Sequence, residues 1–294
     1  MKRIAFVLIL VLFSSCRVNR VKPGLSEVVH ISENNYSCSF DGVVHNFILC
    51  LPQNCENYPL VVMLPGYNNT AEAMQNQTGF DKQACKRGYA VVYVTGSVQK
   101  GETQGGIGWN SGISTAQNQD VSFLTALVRY LQTEYPIDKK RVFAAGFSNG
   151  GFMIHRLAME AGNTFSACVS VAGKMPEKIW KERNRKNKVG FFQITGEKDA
   201  VIPKLSDGSA RHARDPAIEE VMDYWANSNG LSSIEIAEIG EGSTITKWSK
   251  RGKNGLRENQ VWHLFVKDGN HSWPSFAVNG IDANSLILDF FDSF

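Results

Sequence analysis

Three groups far apart in the chain have the residue types for acyl transfer. They are the serine in Gly146-Phe147-Ser148-Asn149-Gly150-Gly151, the acids in Gly196-Glu197-Lys198-Asp199, and the histidine in Gly269-Asn270-His271. A serine hydroxyl is a poor nucleophile until a positioned base takes its proton and an acid orients that base. The G-x-S-x-G spacing puts glycines on both sides of a serine, as a sharp strand-to-helix turn requires. Serine, then acid, then histidine is the order expected when each group stands at the carboxyl end of a strand in a parallel sheet. The tetrahedral intermediate also needs two backbone N–H donors. One follows the nucleophile, at Asn149. The segment "LPGYNNT" (64–70) offers the other at Tyr67 N–H, because Gly66 allows close approach.

The alternatives within each group can be weighed. Of six histidines, His30 and His45 precede the first core strands and His155 lies in the helix after Ser148. His263 is inside the apolar run "VWHLFV", where a structural role is expected, and His212 sits in the polar stretch "DGSARHARD", where solvent is expected. His271 follows the last strand in a loop shaped by Gly269 and Pro274, which can hold an imidazole over Ser148. Of the two acids, Asp199 is preferred: one of the pair must face the site and the other solvent, and "AVIP" (200–203) anchors the loop beyond Asp199.

The elements that must position these groups are legible as two alternating patterns. "PLVVMLPG" (59–66), "YAVVYVTG" (89–96), "RVFAAGFS" (141–148), "FSACVSVAG" (165–173) and "VGFFQITG" (189–196) are apolar, β-branched or aromatic runs, most ending in glycine. Such runs suit strands buried on both faces of a parallel sheet. "DGVVHNFILCLP" from Asp41, "IEIAEI" (234–239) and "VWHLFV" (261–266) are further strands. Between them 120–134, 149–161 and 216–227 carry helical spacing, and "IDANSLILDFF" reads as a closing helix with Asp282 as its cap. Strand and helix alternate, so an α/β fold with a mostly parallel sheet and helices on both faces is expected, undivided from 29 to 294.

The chain has 294 residues, 43% hydrophobic, with a formal net charge of +3. Residues 1–15 read as a signal peptide: Lys2 and Arg3, an apolar run from Ala5 to Phe13, then Ser14-Ser15-Cys16. Small residues before a cysteine resemble a bacterial lipobox, with Cys16 lipidated and residues 16–28 a tether; Phe13 departs from the usual aliphatic residue there. An exported, lipid-anchored protein of the cell envelope is expected, or a secreted or periplasmic one. Removing Lys2 and Arg3 takes the charge from +3 to +1, which gives no support for nucleic-acid binding. Beyond Cys16, Cys38, Cys50, Cys55, Cys85 and Cys168 have no zinc spacing; Cys50 and Cys55 can close a small loop, and Cys168 reads as a buried thiol. There is no HExxH, dinucleotide or Walker A pattern, so no metal or organic cofactor is expected.

With "LPGY", "GFSNGG", "GEKDAVIP" and "GNHSWP" in this order, the chain resembles the α/β-hydrolase fold. More narrowly it resembles secreted esterases grouped with polyhydroxybutyrate depolymerases and feruloyl or acetylxylan esterases. The resemblance runs from about Gly42 to the end and includes "GWN" (108–110), "DVSFLTALV" (120–128) and "VAG" (171–173). It implies a triad of Ser148, Asp199 and His271, with oxyanion donors at Asn149 and Tyr67. It also places Trp109 and Trp273 near the site, where they could stack on an aromatic acyl group or a sugar. The chain departs from the family at Pro65, where a histidine is usual; a backbone donor at Tyr67 does not need that side chain. Only about fifteen residues separate the strands ending near Gly173 and starting near Val189, so a small lid or none is expected. The long loop 96–119 is the expected opposite wall. The implied function is a serine carboxylic-ester hydrolase that releases feruloyl or acetyl groups from plant cell-wall polysaccharide. A hydroxyalkanoate polyester is the second substrate, and a serine peptidase or a non-catalytic binding protein is the more distant alternative.

Overall fold

The computed structural model describes residues 24–53, 55–101, 105–184, 188–202, 214–250 and 259–294. The apolar runs do form strands: β4 (Tyr58–Leu64), β5 (Ala90–Val94), β8 (Ile137–Phe147), β9 (Ala167–Val171), β10 (Gly190–Gly196) and β13 (Val261–Val266). These six lie side by side and parallel, in the order β5-β4-β8-β9-β10-β13. Every residue of β4, β5, β9 and β10 is buried, as are Val142–Gly146 of β8, because helices cover both faces of the sheet.

Antiparallel strands extend both edges. β1 (Ser26–Ser32), β2 (Asn35–Phe40) and β3 (Val43–Cys50) continue beyond β5, while β12 (Ser243–Ser249) and β11 (Ser233–Ile239) continue beyond β13. Two short strands, β6 (Ser97–Val98) and β7 (Ile107–Gly108), pair apart from this eleven-stranded sheet. β1 begins inside the expected tether, so any tether ends before Ser26; Cys16 and the rest of residues 1–23 lie outside the described residues.

Each face has its own core. α3 (Asp120–Glu134), α4 (Asn149–Glu160) and α6 (Ile218–Asn229) pack Leu127, Ile154 and Trp225 onto Leu60, Val62 and Val92. On the other face α1 (Ala71–Thr78), α2 (Phe80–Ala84) and α8 (Ala283–Phe291) pack Met74, Phe80 and Phe290 near Val61, Met63 and Val91. The alternation along β4 is what divides its residues between the two cores. α8 starts at Asp282, whose carboxylate accepts from Ser285 N at 3.0 Å, the expected cap.

Among the described residues, cover over the carboxyl edge is slight. Between β9 and β10 the described residues form only α5 (Glu177–Lys181), and α7 (Phe276–Asn279) is a single turn. Among the described residues no helix is long and apolar enough to cross a membrane. All five cysteines in the described residues are free, so Cys50 and Cys55 are not joined. Cys50 is turned inward instead, its thiol donating to Asp81 Oδ2 at 3.7 Å, and burial pushes it up to about 12. Cys168 is buried, as expected.

Candidate active site

The serine turn owes its shape to glycines. β8 ends at Phe147 and α4 begins at Asn149, leaving Ser148 alone to turn the chain at φ 52°, ψ −117°. This is a positive φ that L-residues rarely adopt. Ser148 N–H donates to Val171 O at 2.9 Å and Phe152 N–H to Ser148 O at 2.9 Å, which fixes the turn from both sides. A Cβ on Gly146 would stand 2.5 Å from the Gly150 carbonyl, and one on Gly150 only 2.1 Å from Leu64 O. Both glycines are therefore required by close backbone contact, and α4 sits directly against the end of β4.

Asp199 and His271 come from the ends of β10 and β13, two neighbouring strands. His271 Nδ1 lies 2.8 Å from Asp199 Oδ2, and His271 Nε2 lies 2.9 Å from Ser148 Oγ. An ionised carboxylate only accepts, so Nδ1 carries the ring proton and Nε2 is left to accept from the serine hydroxyl. The other carboxylate oxygen of Asp199 accepts from Val201 N at 3.0 Å and Ile202 N at 2.8 Å. These bonds hold the carboxylate in place, and its side chain is 2% exposed. Lys198 N–H donates to Gly269 O at 2.8 Å, tying the acid loop to the histidine loop. Glu197 faces away, accepting from Asp268 N at 3.0 Å in an exposed position.

The remaining histidines are engaged elsewhere. His263 Nε2 meets Thr195 Oγ1 at 2.8 Å inside the sheet. His155 Nε2 bonds Gln193 Oε1 at 3.1 Å, and burial lowers it to about 3. His45 stacks on Phe123 with 3.7 Å between ring centroids, and burial lowers it to about 4. His30 Nε2 lies 2.6 Å from Glu33 O on the exposed edge strand. His212 lies outside the described residues.

The residues that bear the two candidate N–H donors flank Ser148. Asn149 opens α4, where first-turn N–H groups have no partner within the helix and the helix dipole is positive. Gly66 presses so close that a Cβ there would be 3.3 Å from Ser148 Cβ, which brings the following residue, Tyr67, to the serine's edge. The Tyr67 ring lies across Gly106 and Gly108, where any Cβ would strike it at 2.1 and 2.9 Å. Asn68 then fastens this loop to β7: Asn68 N–H donates to Ile107 O at 2.7 Å, and Asn68 Oδ1 accepts from Ile107 N at 3.1 Å.

Within the loop expected as the opposite wall, Gly108 and Trp109 lie against Tyr67 and Asn149, but Trp109 and Trp273 do not present their rings to a ligand. Trp109 is 2% exposed, and its indole N–H donates to Pro65 O at 3.0 Å. Trp273 is 7% exposed, and its indole N–H donates to Asn284 Oδ1 at 2.9 Å. A buried indole usually pairs its only donor, and rings this buried leave little surface for a ligand. The expected stacking role is corrected for both.

The sequence reading missed the groups that hold Trp109. Asn149 Oδ1 accepts from Trp109 N at 2.7 Å, and Asp120 Oδ2 accepts from Asn110 N at 2.6 Å. Asn110 and Asp120 stand in "GWN" and "DVSFLTALV", segments of the resemblance to which no role was assigned, and the G-x-S-x-G pattern leaves the Asn149 side chain unspecified. Burial pushes the Asp120 carboxyl up to about 6, against the bond from Asn110 and the charge of Arg156, which pull it down. Its ordinary value is 3.8, so between about pH 4 and 6 the folded chain holds a proton the unfolded chain has lost. Stability from this group is therefore largest at low pH and is lost as pH rises through that window. Asp120→Asn removes this slope. Relative to the parent chain it should gain on the order of 3 kcal/mol between pH 4 and pH 7, read from urea midpoints; a difference that does not change with pH contradicts the burial.

Known proteins share both sequence and architecture with this chain. The family model described as the prolyl oligopeptidase family matches residues 76–199, less than half of the chain. NocK of Nocardia uniformis subsp. tsuyamanensis, assigned as an esterase, is 28% identical over 242 residues, which is 74% of this chain and 66% of NocK. The bifunctional acetylxylan esterase/xylanase XynS20E of Neocallimastix patriciarum is 26% identical over 149 residues, 50% of this chain and 20% of that protein. Feruloyl esterase C of Emericella nidulans is 26% identical over 136 residues, 46% of this chain and 45% of that protein. The chain spans less than two thirds of the length of each. Acetyl xylan esterase from Aspergillus awamori superimposes with a TM-score of 0.62 at 14% identity, covering 85% of this chain and 94% of that one. Est1E from Butyrivibrio proteoclasticus gives 0.54 at 11% identity, covering 88% and 100%. The fold is the α/β-hydrolase fold, with helices on both faces of a mostly parallel sheet.

Proposed function

We propose that the protein is a serine carboxylic-ester hydrolase. The observation that carries this is the pair of contacts at His271, 2.9 Å to Ser148 Oγ and 2.8 Å to Asp199 Oδ2. Ser148 Oγ attacks the ester carbonyl while His271 Nε2 takes its proton. Asp199 keeps the imidazole in the required tautomer and stabilises the imidazolium. The backbone N–H groups of Asn149 and Tyr67 receive the oxyanion. His271 then delivers its proton to the departing alcohol, and water resolves the acyl-enzyme by the same steps in reverse.

The natural ester is a feruloyl or acetyl group on plant cell-wall polysaccharide. The acetylxylan and feruloyl esterases among the relatives support this choice, and the slight cover that the described residues give the carboxyl edge suits an ester on a polymer. The match to the prolyl oligopeptidase family favours a second reading, peptide hydrolysis by the same three side chains. We propose further that the chain is exported and held at a membrane through a lipid on Cys16. The mass of the mature N-terminus checks this, and an unmodified Cys16 rejects it.

Initial rates on p-nitrophenyl acetate, methyl ferulate, acetylated xylan, a hydroxybutyrate oligomer and a proline-containing peptide, beside Ser148→Ala, test the reading. Ester turnover that disappears in the variant is the expected result. Cleavage of the peptide alone supports the second reading, and a folded chain silent on every substrate rejects both.

A further inference from the structure

We propose that Trp109 is a positioning residue that locks the two oxyanion donors to one another, an inference that rests on the esterase reading. Its backbone N–H donates to Asn149 Oδ1 at 2.7 Å, and its indole N–H donates to Pro65 O at 3.0 Å. Asn149 follows Ser148 in the chain, and Pro65 leads through Gly66 to Tyr67. Gly66 in turn touches Ser148, with a Cβ position 3.3 Å from Ser148 Cβ. These contacts close a ring through Pro65, Gly66, Ser148, Asn149 and Trp109. Asn149 belongs to that ring, and Tyr67 follows it in the chain directly after Gly66.

The effect on the donors follows from backbone geometry. Proline fixes φ at Pro65, so the main freedom left there is rotation of the peptide plane between Pro65 and Gly66. The indole bond to Pro65 O fixes that plane, and the orientation of the next peptide, which carries Tyr67 N–H, depends on it. On the other side, Asn149 Oδ1 is held by Trp109 N–H, while Asn149 Nδ2 donates to Ser111 Oγ at 3.3 Å. The Asn149 side chain therefore braces the start of α4, where its own N–H is the candidate donor.

Trp109 is in turn held rigidly. Asn110 N–H donates to Asp120 Oδ2 at 2.6 Å, Asn110 Nδ2 to Asn118 O at 2.8 Å, and Arg156 Nη1 to Asn110 O at 2.5 Å. All of these carboxyl and amide groups are buried. The indole is itself 2% exposed, so it acts on the reaction through the backbone and not by touching substrate. Donors of an oxyanion site act only when placed in advance, and a displacement of about 1 Å can cost on the order of 100-fold in rate.

The test compares Trp109→Phe with Trp225→Phe. Trp225 is an equally buried indole in α6, its N–H has no partner among the described residues, and it stacks on Phe191 with 5.1 Å between centroids. Each variant loses an indole N–H from the interior, but only Trp109 has one bonded to the oxyanion loop. On p-nitrophenyl acetate, Trp109→Phe should lower kcat about 10- to 100-fold with KM within about threefold, while Trp225→Phe keeps kcat. Amide hydrogen exchange in the segment 64–70 should quicken in Trp109→Phe and not in Trp225→Phe. Equal kcat in the two variants, or a Trp109→Phe loss that falls on KM, overturns the proposal and leaves the esterase reading standing. If the parent chain turns over no ester, that reading fails by itself. Exchange in 64–70 then decides whether Trp109 holds the loop: unchanged protection rejects the bracing, and faster exchange sustains it.

Discussion

Replacing Ser148 with alanine should lower kcat/KM for p-nitrophenyl acetate by about 10⁴-fold or more, and His271→Ala should do nearly the same. The two groups act as one unit, because the hydroxyl is a nucleophile only while Nε2, 2.9 Å away, takes its proton. The double variant should therefore be no worse than either single one. Residual activity would come from the oxyanion donors and binding alone. His263→Ala is the control. That imidazole is buried and bonded to Thr195 Oγ1 at 2.8 Å, so its loss should cost about 1–3 kcal/mol of stability while kcat stays within about threefold. Rates are measured at one pH on protein shown to be folded by circular dichroism. A His271→Ala chain that keeps its full rate removes the imidazole from the mechanism.

Gly150→Ala should be the most damaging single methyl group in the fold. Its Cβ would lie 2.1 Å from Leu64 O, 2.7 Å from Leu64 C and 2.7 Å from Pro65 O, all backbone atoms. No rotamer change relieves such a clash. The end of β4 and the start of α4 must separate, and those two elements carry the proposed oxyanion loop and the proposed nucleophile. A loss of about 3 kcal/mol or more is expected, with kcat falling in whatever protein remains folded. Gly24→Ala, where no atom lies within 4 Å, should leave the urea midpoint unchanged. Equal midpoints for the two variants would show that α4 does not sit where the clash requires.

The sequence was most informative where burial is symmetric. β4, β5, β9 and β10 are covered on both faces, so their apolar runs stand out against the helices between them. β1 has almost no buried residue, and β12 alternates only loosely, so neither carries a pattern that distinguishes a strand from a loop. This is why β1 fell within the expected tether. Ser148, Asp199 and His271 were legible because chain order and strand ends constrain them together. Trp109 and Trp273 were not, because tryptophan suits a buried wall as well as a ligand platform. Only the partners of their indole N–H groups separate those roles, and those partners, Pro65 and Asn284, lie 44 and 11 residues away.

The position of β13 beside β10 bears on when the molecule becomes reactive. Ser148 and His271 are 123 residues apart in sequence, and the imidazole stands on the last strand of the parallel set. A chain that emerges amino-terminus first can form the serine turn and the Pro65 loop well before β13 exists to pair with β10. Such distant pairings form slowly, because the intervening chain must be ordered first. Until then Ser148 is an ordinary alcohol without a base. Reactivity thus appears only when β13 has paired with β10, so an unfinished chain meeting an ester during synthesis leaves it intact.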